Sequence, residues 1–377
     1  WRYNYAKNYP ALIWLWLGCK SIIIAAGMMN KTTRVRSSIV SSSSAIVSGT
    51  CLWRPTQAQI DNAEVTNFAS FVQAKTQFDW GQDFQALWRW SVDHMPEFWD
   101  LLWDWHGIIG DKGGRVLESA EKMPGATFFP DARINFAENL LADADEQLAI
   151  TAHGEDGRVT RLTRAELKQQ VQELAGWLQD HGVTAGDRVA AYIPNSAEAV
   201  ITMLATASLG AVFSSCSPDF GLQGVYDRFG QIEPKILVGC DGYHYAGKAI
   251  DRMDVLAALA QKLPTVKTVL VIGYLSAQPD CSRLPNAMLF DQAVANATAI
   301  TQFRRMPFNA PLYILYSSGT TGAPKCIVHG IGGTLMQHIK EHRLHTNVKA
   351  GDRFFYFTTC GWMMWNWLVS GLASKAH

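Results

Sequence analysis

One ten-residue segment combines the residue types that bind phosphate. It runs from Tyr316 to Lys325, reads YSSGTTGAPK, and follows the apolar, β-prone stretch 312–316. Its glycines let several backbone N–H groups turn toward one point, its hydroxyls add donors, and its lysine supplies a cation. The order of the string disfavours the alternative, a serine- and glycine-rich surface turn. We predict a phosphate loop whose binding residues are Ser317, Ser318, Gly319, Thr320, Thr321, Gly322 and Lys325.

The spacing within this phosphate loop separates it from the Walker A class. A Walker A loop has the pattern GxxxxGK[ST], in which lysine directly follows the second glycine. Here Lys325 lies three residues after Gly322. A kinase or GTPase of that class is therefore not indicated.

Histidines and a cysteine near the loop suggest other chemistry. His338, His342 and His345 are four and three residues apart, so a helix could present them to a metal on one face. No acidic residue or cysteine joins them at suitable spacing, so we predict helix-surface histidines and no metal site. For Cys326 we predict a small buried side chain on the next strand rather than a reactive thiol. For His329 we predict a residue of the core or beside the site.

Composition and charge exclude some classes of partner. The 377 residues are 48% hydrophobic and 18% charged, which is typical of a globular protein with a large core. The 33 lysines and arginines balance 33 aspartates and glutamates, so no net field attracts nucleic acid or an anionic membrane. Seven cysteines form neither a CxxC pair nor a zinc pattern, which predicts reduced thiols and a cytoplasmic protein.

The two ends of the sequence carry separate expectations. Lys20 interrupts the apolar stretch 11–29, and each remaining piece is shorter than the roughly 20 residues of a membrane helix. We expect residues 1–50 to be a leader that is unstructured or not native. The sequence stops at His377 directly after an apolar segment, so we expect a fragment.

The elements that would position the loop indicate an α/β protein. Residues 52–126 are rich in tryptophan and phenylalanine at helical spacing, which predicts a helical region with an aromatic packing surface. Residues 163–182 have an N-cap threonine, a glutamate three residues later and a final glycine, which predicts an amphipathic helix. Apolar runs then alternate with helical segments, so we predict a parallel sheet flanked by helices. The predicted strands are 188–194, 211–218, 235–238, 268–272 and 312–316, with a helix at 196–209.

The loop and its flanking segments resemble the adenylate-forming superfamily, which includes acyl-CoA synthetases, luciferases and peptide-synthetase adenylation domains. Over about residues 52–375 the chain most resembles the acetoacetyl-CoA synthetase family, whereas luciferases and peptide synthetases share only the loop. The acetate enzymes differ after the Gly-Trp that begins GWMMWNWLVSGLAS, and most members have glycine where Cys326 stands. The other segments that carry the resemblance are MPEFWDLLWD, FFPDARINFAENLL, GDRVAAYIPN, SSCSPDFG, DRFGQIEPK and CIVHGIGGTLMQHIKEH.

The resemblance implies a fold and a division of the chain. The fold would be α/β, with a helical N-terminal cap followed by an incomplete adenylate-forming (AMP-binding) N-terminal domain of mixed and parallel sheets flanked by helices. The cap would span residues 51–145 and the AMP-binding domain residues 146–377, truncated at its C-terminal side. The family's catalytic lysine would lie beyond His377, so we expect the fragment alone to be inactive.

The resemblance also implies an acid–thiol ligase. It would use ATP and Mg²⁺ to convert acetoacetate to acetoacetyl-AMP, and would then transfer the acyl group to coenzyme A. These small molecules would be its partners, with no nucleic acid and no stable membrane insertion. Coenzyme A would contact Tyr245, Gly247 and Lys248, with lysine in place of the family's arginine. The acyl pocket would contain Trp362, Met363 and Met364.

Two alternatives stay open at this point. The chain could be a truncated, inactive nucleotide-binding piece of such a ligase. It could also belong to a ligase for another small carboxylic acid, such as acetate, propionate or butyrate, because the residues alone indicate only a small acid.

Overall fold

The computed structural model describes residues 51–317 and 322–377, so the predicted leader of residues 1–50 lies outside the described residues. A π-helical turn, Glu341–His345, and a 3-10 turn, Ser370–Ser374, follow the last two helices. The helices in the described ranges are α1 (Gln57–Asp61), α2 (Glu64–Thr76), α3 (Phe84–Asp93), α4 (Met95–His106), α5 (Phe136–Leu140), α6 (Arg164–Asp180), α7 (Ala197–Ser208), α8 (Leu222–Ile232), α9 (Met253–Lys262), α10 (Phe290–Ala295), α11 (Ile331–Lys340) and α12 (Met363–Val369).

The strands form one large sheet and four small ones in the described part of the chain. The large sheet has the order β13-β12-β9-β7-β8-β15-β16. The strands are β1 (Gly110–Asp111), β2 (Leu117–Glu118), β3 (Thr127–Phe128), β4 (Arg133–Ile134), β5 (Leu148–His153), β6 (Val159–Thr163), β7 (Arg188–Tyr192), β8 (Val212–Cys216), β9 (Ile236–Cys240), β10 (Gly242–Tyr245), β11 (Lys248–Asp251), β12 (Thr268–Ile272), β13 (Ala287–Leu289), β14 (Met306–Pro307), β15 (Pro311–Ser317) and β16 (Lys325–Gly330).

The large sheet confirms the predicted α/β fold. All its neighbouring strands pair in parallel except β15 and β16, which form an antiparallel hairpin around the phosphate loop. Strands β8 and β9 are buried along their whole length, as expected for short apolar runs covered on both faces. Because parallel strands end at the same edge, the segments after β7, β8, β9 and β15 meet there.

The predicted amphipathic helix is α6, and its ends form as expected. The Thr163 hydroxyl accepts a hydrogen bond from the backbone of Glu166, and the Glu166 carboxylate accepts one from the backbone of Thr163. Gly182 follows the helix with a φ of +77°, a left-handed conformation that glycine adopts without steric cost. Leu167, Val171 and Leu174 are buried, and α6 packs against α7 and α10.

The N-terminal region is helical only up to His106. Gly107, with a φ of +77°, ends α4, and short two-residue strands replace the helix that was predicted to continue to residue 126. That part of the prediction is wrong because glycines and Pro124 interrupt the stretch. The aromatic packing surface is confirmed: the Phe68 ring centroid lies 5.6 Å from that of Phe98 and 5.3 Å from that of Trp105.

Buried polar contacts fasten the N-terminal helices to the rest of the molecule. The side-chain amide of Asn135, which is fully buried, donates to the carbonyl oxygens of Ala207 and Arg304, each at 2.8 Å. Glu64 in α2 forms an ion pair with Arg343 in the π-helical turn. Within the described ranges, no helix is both long enough and apolar enough to cross a bilayer.

Candidate functional site

The phosphate loop starts and ends on paired strands. β15 ends at Ser317 and β16 begins at Lys325, and these two residues are opposite each other in the antiparallel ladder. Gly322 has a φ of +102°, a backbone conformation that L side chains rarely adopt, so the position favours glycine. The remaining predicted phosphate ligands, Ser318, Gly319, Thr320 and Thr321, lie outside the described residues.

Helix α8 packs beside the described end of this loop. Gln231 Nε2 donates to the carbonyl oxygen of Pro324 at 2.8 Å, and the Cys326 Sγ lies 3.6 Å from Gln231 Oε1. Cys326 is exposed, so the prediction of a buried side chain is wrong: β16 is the last strand of its sheet, and most of its side chains face solvent. Partial desolvation raises the pKa of the Cys326 thiol, which disfavours a thiolate nucleophile.

The predicted acyl-pocket residues lie at the start of α12. Trp362 is the N-cap, and Met363 and Met364 form the first turn. Trp362 is 65% exposed and Met363 is 44% exposed, so these side chains border an open surface rather than an enclosed pocket in the part that the structure describes. Trp365 and Trp367 are buried and belong to the core.

The segment that carries these residues is anchored to the ends of β7 and β8. We call Cys360–Trp365 the acyl segment. Ser215 Oγ donates to the Cys360 carbonyl oxygen at 2.6 Å, and the Cys360 thiol contacts the Pro194 carbonyl oxygen at 3.3 Å. Trp365 Nε1 donates to Asn195 Oδ1 at 2.9 Å. Three contacts at one sheet edge therefore fix both ends of the acyl segment.

The predicted coenzyme A residues lie on the β10–β11 hairpin. Tyr245 pairs with Lys248 across the turn, and both side chains are exposed. The turn residues Ala246 and Gly247 have φ values of +51° and +74°. Gly247 N lies 3.4 Å from the Glu155 carboxylate. The hairpin thus presents one tyrosine ring, one lysine and a backbone turn to solvent.

Phe220, in the loop that follows β8, connects the phosphate loop with the acyl segment. The Arg228 guanidinium carbon lies 4.6 Å from the centroid of the Phe220 ring and 5.8 Å from the centroid of the Tyr316 ring. On the other side, a Cβ atom placed on Gly361 would lie 3.4 Å from Phe220 Cε2. Arg228 and Phe220 therefore link the end of β15 to the start of the acyl segment.

The same loop also reaches the β10–β11 hairpin. Arg252 Nε donates to the Pro218 carbonyl oxygen at 2.7 Å, and its guanidinium lies over the Tyr243 ring at 5.3 Å. Tyr243 and Arg252 lie at the end of the hairpin away from its turn. Their contacts therefore place this end, the base of the hairpin, beside the sheet edge. Tyr245 and Lys248 lie at the opposite end, next to the turn.

Several polar residues of this edge were not found from the sequence. Asp241 follows β9 directly, and its carboxylate accepts from the backbone N–H of Tyr274 at 2.7 Å and of Ser276 at 2.8 Å. An acidic residue directly after a buried strand is a usable signal for such a position. Arg228 and Asn195 give no comparable signal, because their partners are distant in the sequence.

Two of the three spaced histidines are buried, whereas His345 is exposed. His338 and His342 are buried, with ring centroids 6.3 Å apart, and His338 Nδ1 lies 2.7 Å from Ser370 Oγ. Burial lowers the pKa of His338 to about 3 and that of His342 to about 4. The surface prediction is wrong for His338 and His342 because the π-helical turn and α11 pack against the 3-10 turn. His329 is half-buried against Tyr313, with ring centroids 5.0 Å apart.

A cavity of about 320 Å³ is lined by none of the predicted site residues. It separates the end of α4 from the C-terminal residues, and its polar lining includes His106, Asn139, Arg343 and Lys375. Among residues 51–317 and 322–377, no group of three or more His, Cys, Asp or Glu side chains could hold a metal ion.

The chain belongs to the AMP-binding enzyme family, which matches residues 139–374. That range contains the phosphate loop, the β10–β11 hairpin and the acyl segment. Family membership and the parallel sheet agree with the fold expected from the sequence.

Individual relatives extend the similarity to the N-terminal helices. Acetoacetyl-coenzyme A synthetase of Rhizobium meliloti is 46% identical over 86% of this chain and 50% of its own length. Acetoacetyl-CoA synthetase of Macaca fascicularis is 39% identical over 86% of this chain and 49% of its own length. Malonamoyl-CoA synthetase of Penicillium aethiopicum is 41% identical over 78% of this chain and 43% of its own length.

A solved structure shows the same similarity. Acetoacetyl-CoA synthetase from Streptomyces lividans superimposes with a TM-score of 0.81 at 41% identity, covering 86% of this chain and 50% of that one. The chain therefore spans about half the length of the relatives that it matches.

Proposed function

We propose that the protein is an AMP-forming acid–thiol ligase that activates acetoacetate. In the first step an acetoacetate oxygen attacks the α-phosphorus of ATP, which releases pyrophosphate and forms acetoacetyl-AMP. In the second step the coenzyme A thiol attacks the acyl carbon and releases AMP. The observation that carries the proposal is the 46% identity to an acetoacetyl-CoA synthetase over 86% of this chain.

Phosphate binding is assigned to the loop between β15 and β16. Ser317, Gly322 and Lys325 would contact the β- and γ-phosphates, together with Ser318, Gly319, Thr320 and Thr321. The lysine and Mg²⁺ would neutralise charge on the pyrophosphate as it leaves, so the loop acts by positioning and electrostatics rather than as a general base. Support comes from the position of Lys325 opposite Ser317 and from the left-handed backbone of Gly322.

The acyl and coenzyme A sites complete this proposal. Trp362, Met363 and Met364 would border the acyl chain, because they lie on the acyl segment beside the Phe220 loop. Tyr245, Gly247 and Lys248 would contact coenzyme A at the exposed hairpin. ATP, Mg²⁺ and coenzyme A are the proposed small-molecule partners.

The same proposal includes the domain division and the compartment. Residues 51–145 would be the cap and residues 146–377 the AMP-binding domain, which is supported by the family match from residue 139. A cytoplasmic location is supported by free thiols at all six described cysteines, namely Cys51, Cys216, Cys240, Cys281, Cys326 and Cys360.

Malonamate is the second candidate substrate, because one relative is named a malonamoyl-CoA synthetase. Malonamate and acetoacetate both have a carbonyl group β to the carboxylate, and they differ only in that malonamate has an amide nitrogen where acetoacetate has a methyl group. A pocket that hydrogen-bonds the amide would reject acetoacetate strongly, because its polar partner would be left unpaired. The exchange rates with the two acids can therefore distinguish the two candidate substrates.

Acid-dependent exchange between ATP and labelled pyrophosphate tests the proposal. The assay uses an extended protein, in which this chain continues into the part of the Rhizobium meliloti relative that follows the matched region. We expect exchange to be fastest with acetoacetate, compared with malonamate, acetate, propionate and butyrate. Equal rates with acetate would overturn the acetoacetate assignment. The chain alone is tested in parallel, since exchange by residues 1–377 would contradict the inactive-fragment alternative.

A further inference from the structure

Arg228 of α8 is held by aromatic rings and one backbone carbonyl. Its Nη1 donates to the Gly224 carbonyl oxygen, and its guanidinium lies over Phe220 at 4.6 Å and near Tyr316 at 5.8 Å. In the described part of the chain no carboxylate lies within ion-pair distance of it. A guanidinium has five N–H donors, so four remain for other acceptors there.

The location of this charge is set by the helix. In α8 a long side chain points toward the helix N-terminus, and the bond to Gly224 one turn earlier shows that Arg228 does so. Since α8 begins directly after the loop that follows β8, the guanidinium lies at the edge where the parallel strands end. Ligands of open α/β sheets bind at that edge.

Two described contacts place Arg228 between the phosphate loop and the acyl segment. Tyr316 is the residue before Ser317, and Gln231, one turn after Arg228, is bonded to Pro324 on the other side of the loop. The Phe220 ring contacts the Arg228 guanidinium on one side and lies next to Gly361 on the other. The cation therefore lies where the phosphates and the acid of the proposed reaction would approach each other.

We propose that Arg228 is a second phosphate-binding cation, which contacts the polyphosphate of ATP together with Lys325. The inference rests on the proposed function for its ligand. A planar guanidinium binds two phosphate oxygens at once, whereas Lys325 acts as a point charge. Stacking on Phe220 holds the plane of the guanidinium, so less side-chain entropy is lost when phosphate binds.

Binding of inorganic pyrophosphate and of ATP to the chain of residues 1–377, each with Mg²⁺, tests the inference by calorimetry. Arg228→Gln is expected to weaken pyrophosphate binding about tenfold, the size of one lost charge-assisted hydrogen bond. It should also reduce the dependence of Kd on salt concentration, because one charge contact is gone. Arg283→Gln is the matched control, since Arg283 is exposed and pairs with Asp254 away from this edge. Its Kd should equal that of the wild type.

The outcomes separate a phosphate contact from a structural role. If Arg228→Gln has wild-type affinity, or a weaker affinity with unchanged salt dependence, the inference is overturned. If circular dichroism shows that Arg228→Gln does not fold, the pyrophosphate Kd of Arg228→Lys is measured instead. A several-fold weaker Kd for that variant supports the inference, and a wild-type Kd overturns it. Absence of pyrophosphate binding by the wild type would also overturn it. The proposed function would then still be judged separately, by acetoacetate-dependent exchange in the extended protein.

Discussion

Trp365 donates its indole N–H to the side-chain carbonyl of Asn195 at 2.9 Å, although 170 residues separate them in the sequence. The tryptophan is fully buried and lies next to Phe213 of β8, with ring centroids 6.1 Å apart. The bond joins the acyl segment to the residue that follows the end of β7 by three positions. The position of the predicted acyl-site residues therefore depends on the bond between Trp365 and Asn195, two residues outside the predicted acyl site.

Trp365→Phe removes this bond and leaves the Oδ1 atom of the exposed Asn195 without the indole donor. We expect a loss of about 1 kcal/mol in the free energy of unfolding beyond the loss of volume, because water can replace the donor at the exposed Asn195. Trp367→Phe is the control, because the buried Trp367 Nε1 has no hydrogen-bond partner in the described part of the chain. Urea unfolding of both variants measures the difference. Equal losses in the two variants would show that the bond to Asn195 adds no stability.

Gly322→Ala should weaken binding of Mg²⁺-ATP by the phosphate loop. At a φ of +102° a Cβ atom strains the backbone by roughly 1–2 kcal/mol, so the loop would leave its present conformation. Gly333→Ala is the matched control, because Gly333 lies in α11 with no positive φ and with open space around the added atom. Calorimetric titration with Mg²⁺-ATP compares the two. Normal affinity in Gly322→Ala would contradict the need for glycine.

The buried histidines should make the protein less stable in acid. His342 has a pKa of about 4 in the folded state because of burial, and an ordinary value near 6.5 when unfolded. Below pH 6.5 the unfolded chain therefore binds more protons than the folded chain. The contribution of His342 to the free energy of unfolding is fully present above that pH and is lost as the pH falls toward 4. His338 acts in the same direction.

His342→Leu tests this titration directly. Between pH 7 and pH 5 the wild type should lose about 2 kcal/mol more than this variant, as expected for one proton per molecule over that range. Between pH 7 and pH 8 the two proteins should show the same change. Urea unfolding at the three pH values measures it, and identical acid losses would mean that His342 does not titrate as inferred.

Glu64→Gln should loosen the N-terminal helices. The change leaves Arg343, which also lies over the Trp105 ring at 4.5 Å, without its buried carboxylate partner. A loss of about 2 kcal/mol is expected, which is less than the roughly 3–5 kcal/mol for a fully buried pair because the arginine is partly exposed. Glu118→Gln breaks the exposed pair with Arg115 and should have no measurable effect. A wild-type melting temperature for Glu64→Gln would contradict the prediction.

The elements of the large sheet could be predicted because local patterns determine them. The capping box of Thr163 and Glu166 and the apolar runs of β7, β8 and β9 are visible within a few residues of sequence. The non-helical stretch after Gly107 was missed, although its glycines were visible. In that stretch glycines and Pro124 interrupt the helix, although the aromatic residues before it keep a helical spacing.

The site was predictable only in part, for a different reason. The phosphate loop is continuous in sequence, so its residue types and order could be read directly. The contacts that position its surroundings join distant residues, such as Asn195 with Trp365 and Ser215 with Cys360. Burial of His338 and His342 likewise depends on the later 3-10 turn, which helical spacing alone does not reveal.

The hydrogen bonds of Asn135 have a consequence for synthesis on the ribosome. Its amide joins the carbonyl groups of Ala207 and Arg304, and β4 beside it lies between β1 and β14. The N-terminal helices cannot complete this junction until about residue 307 has left the exit tunnel. The ring of Trp103 in α4 also packs against Phe308, with centroids 6.5 Å apart, so this part of the aromatic surface is uncovered until Phe308 has emerged and is available to chaperones during that interval.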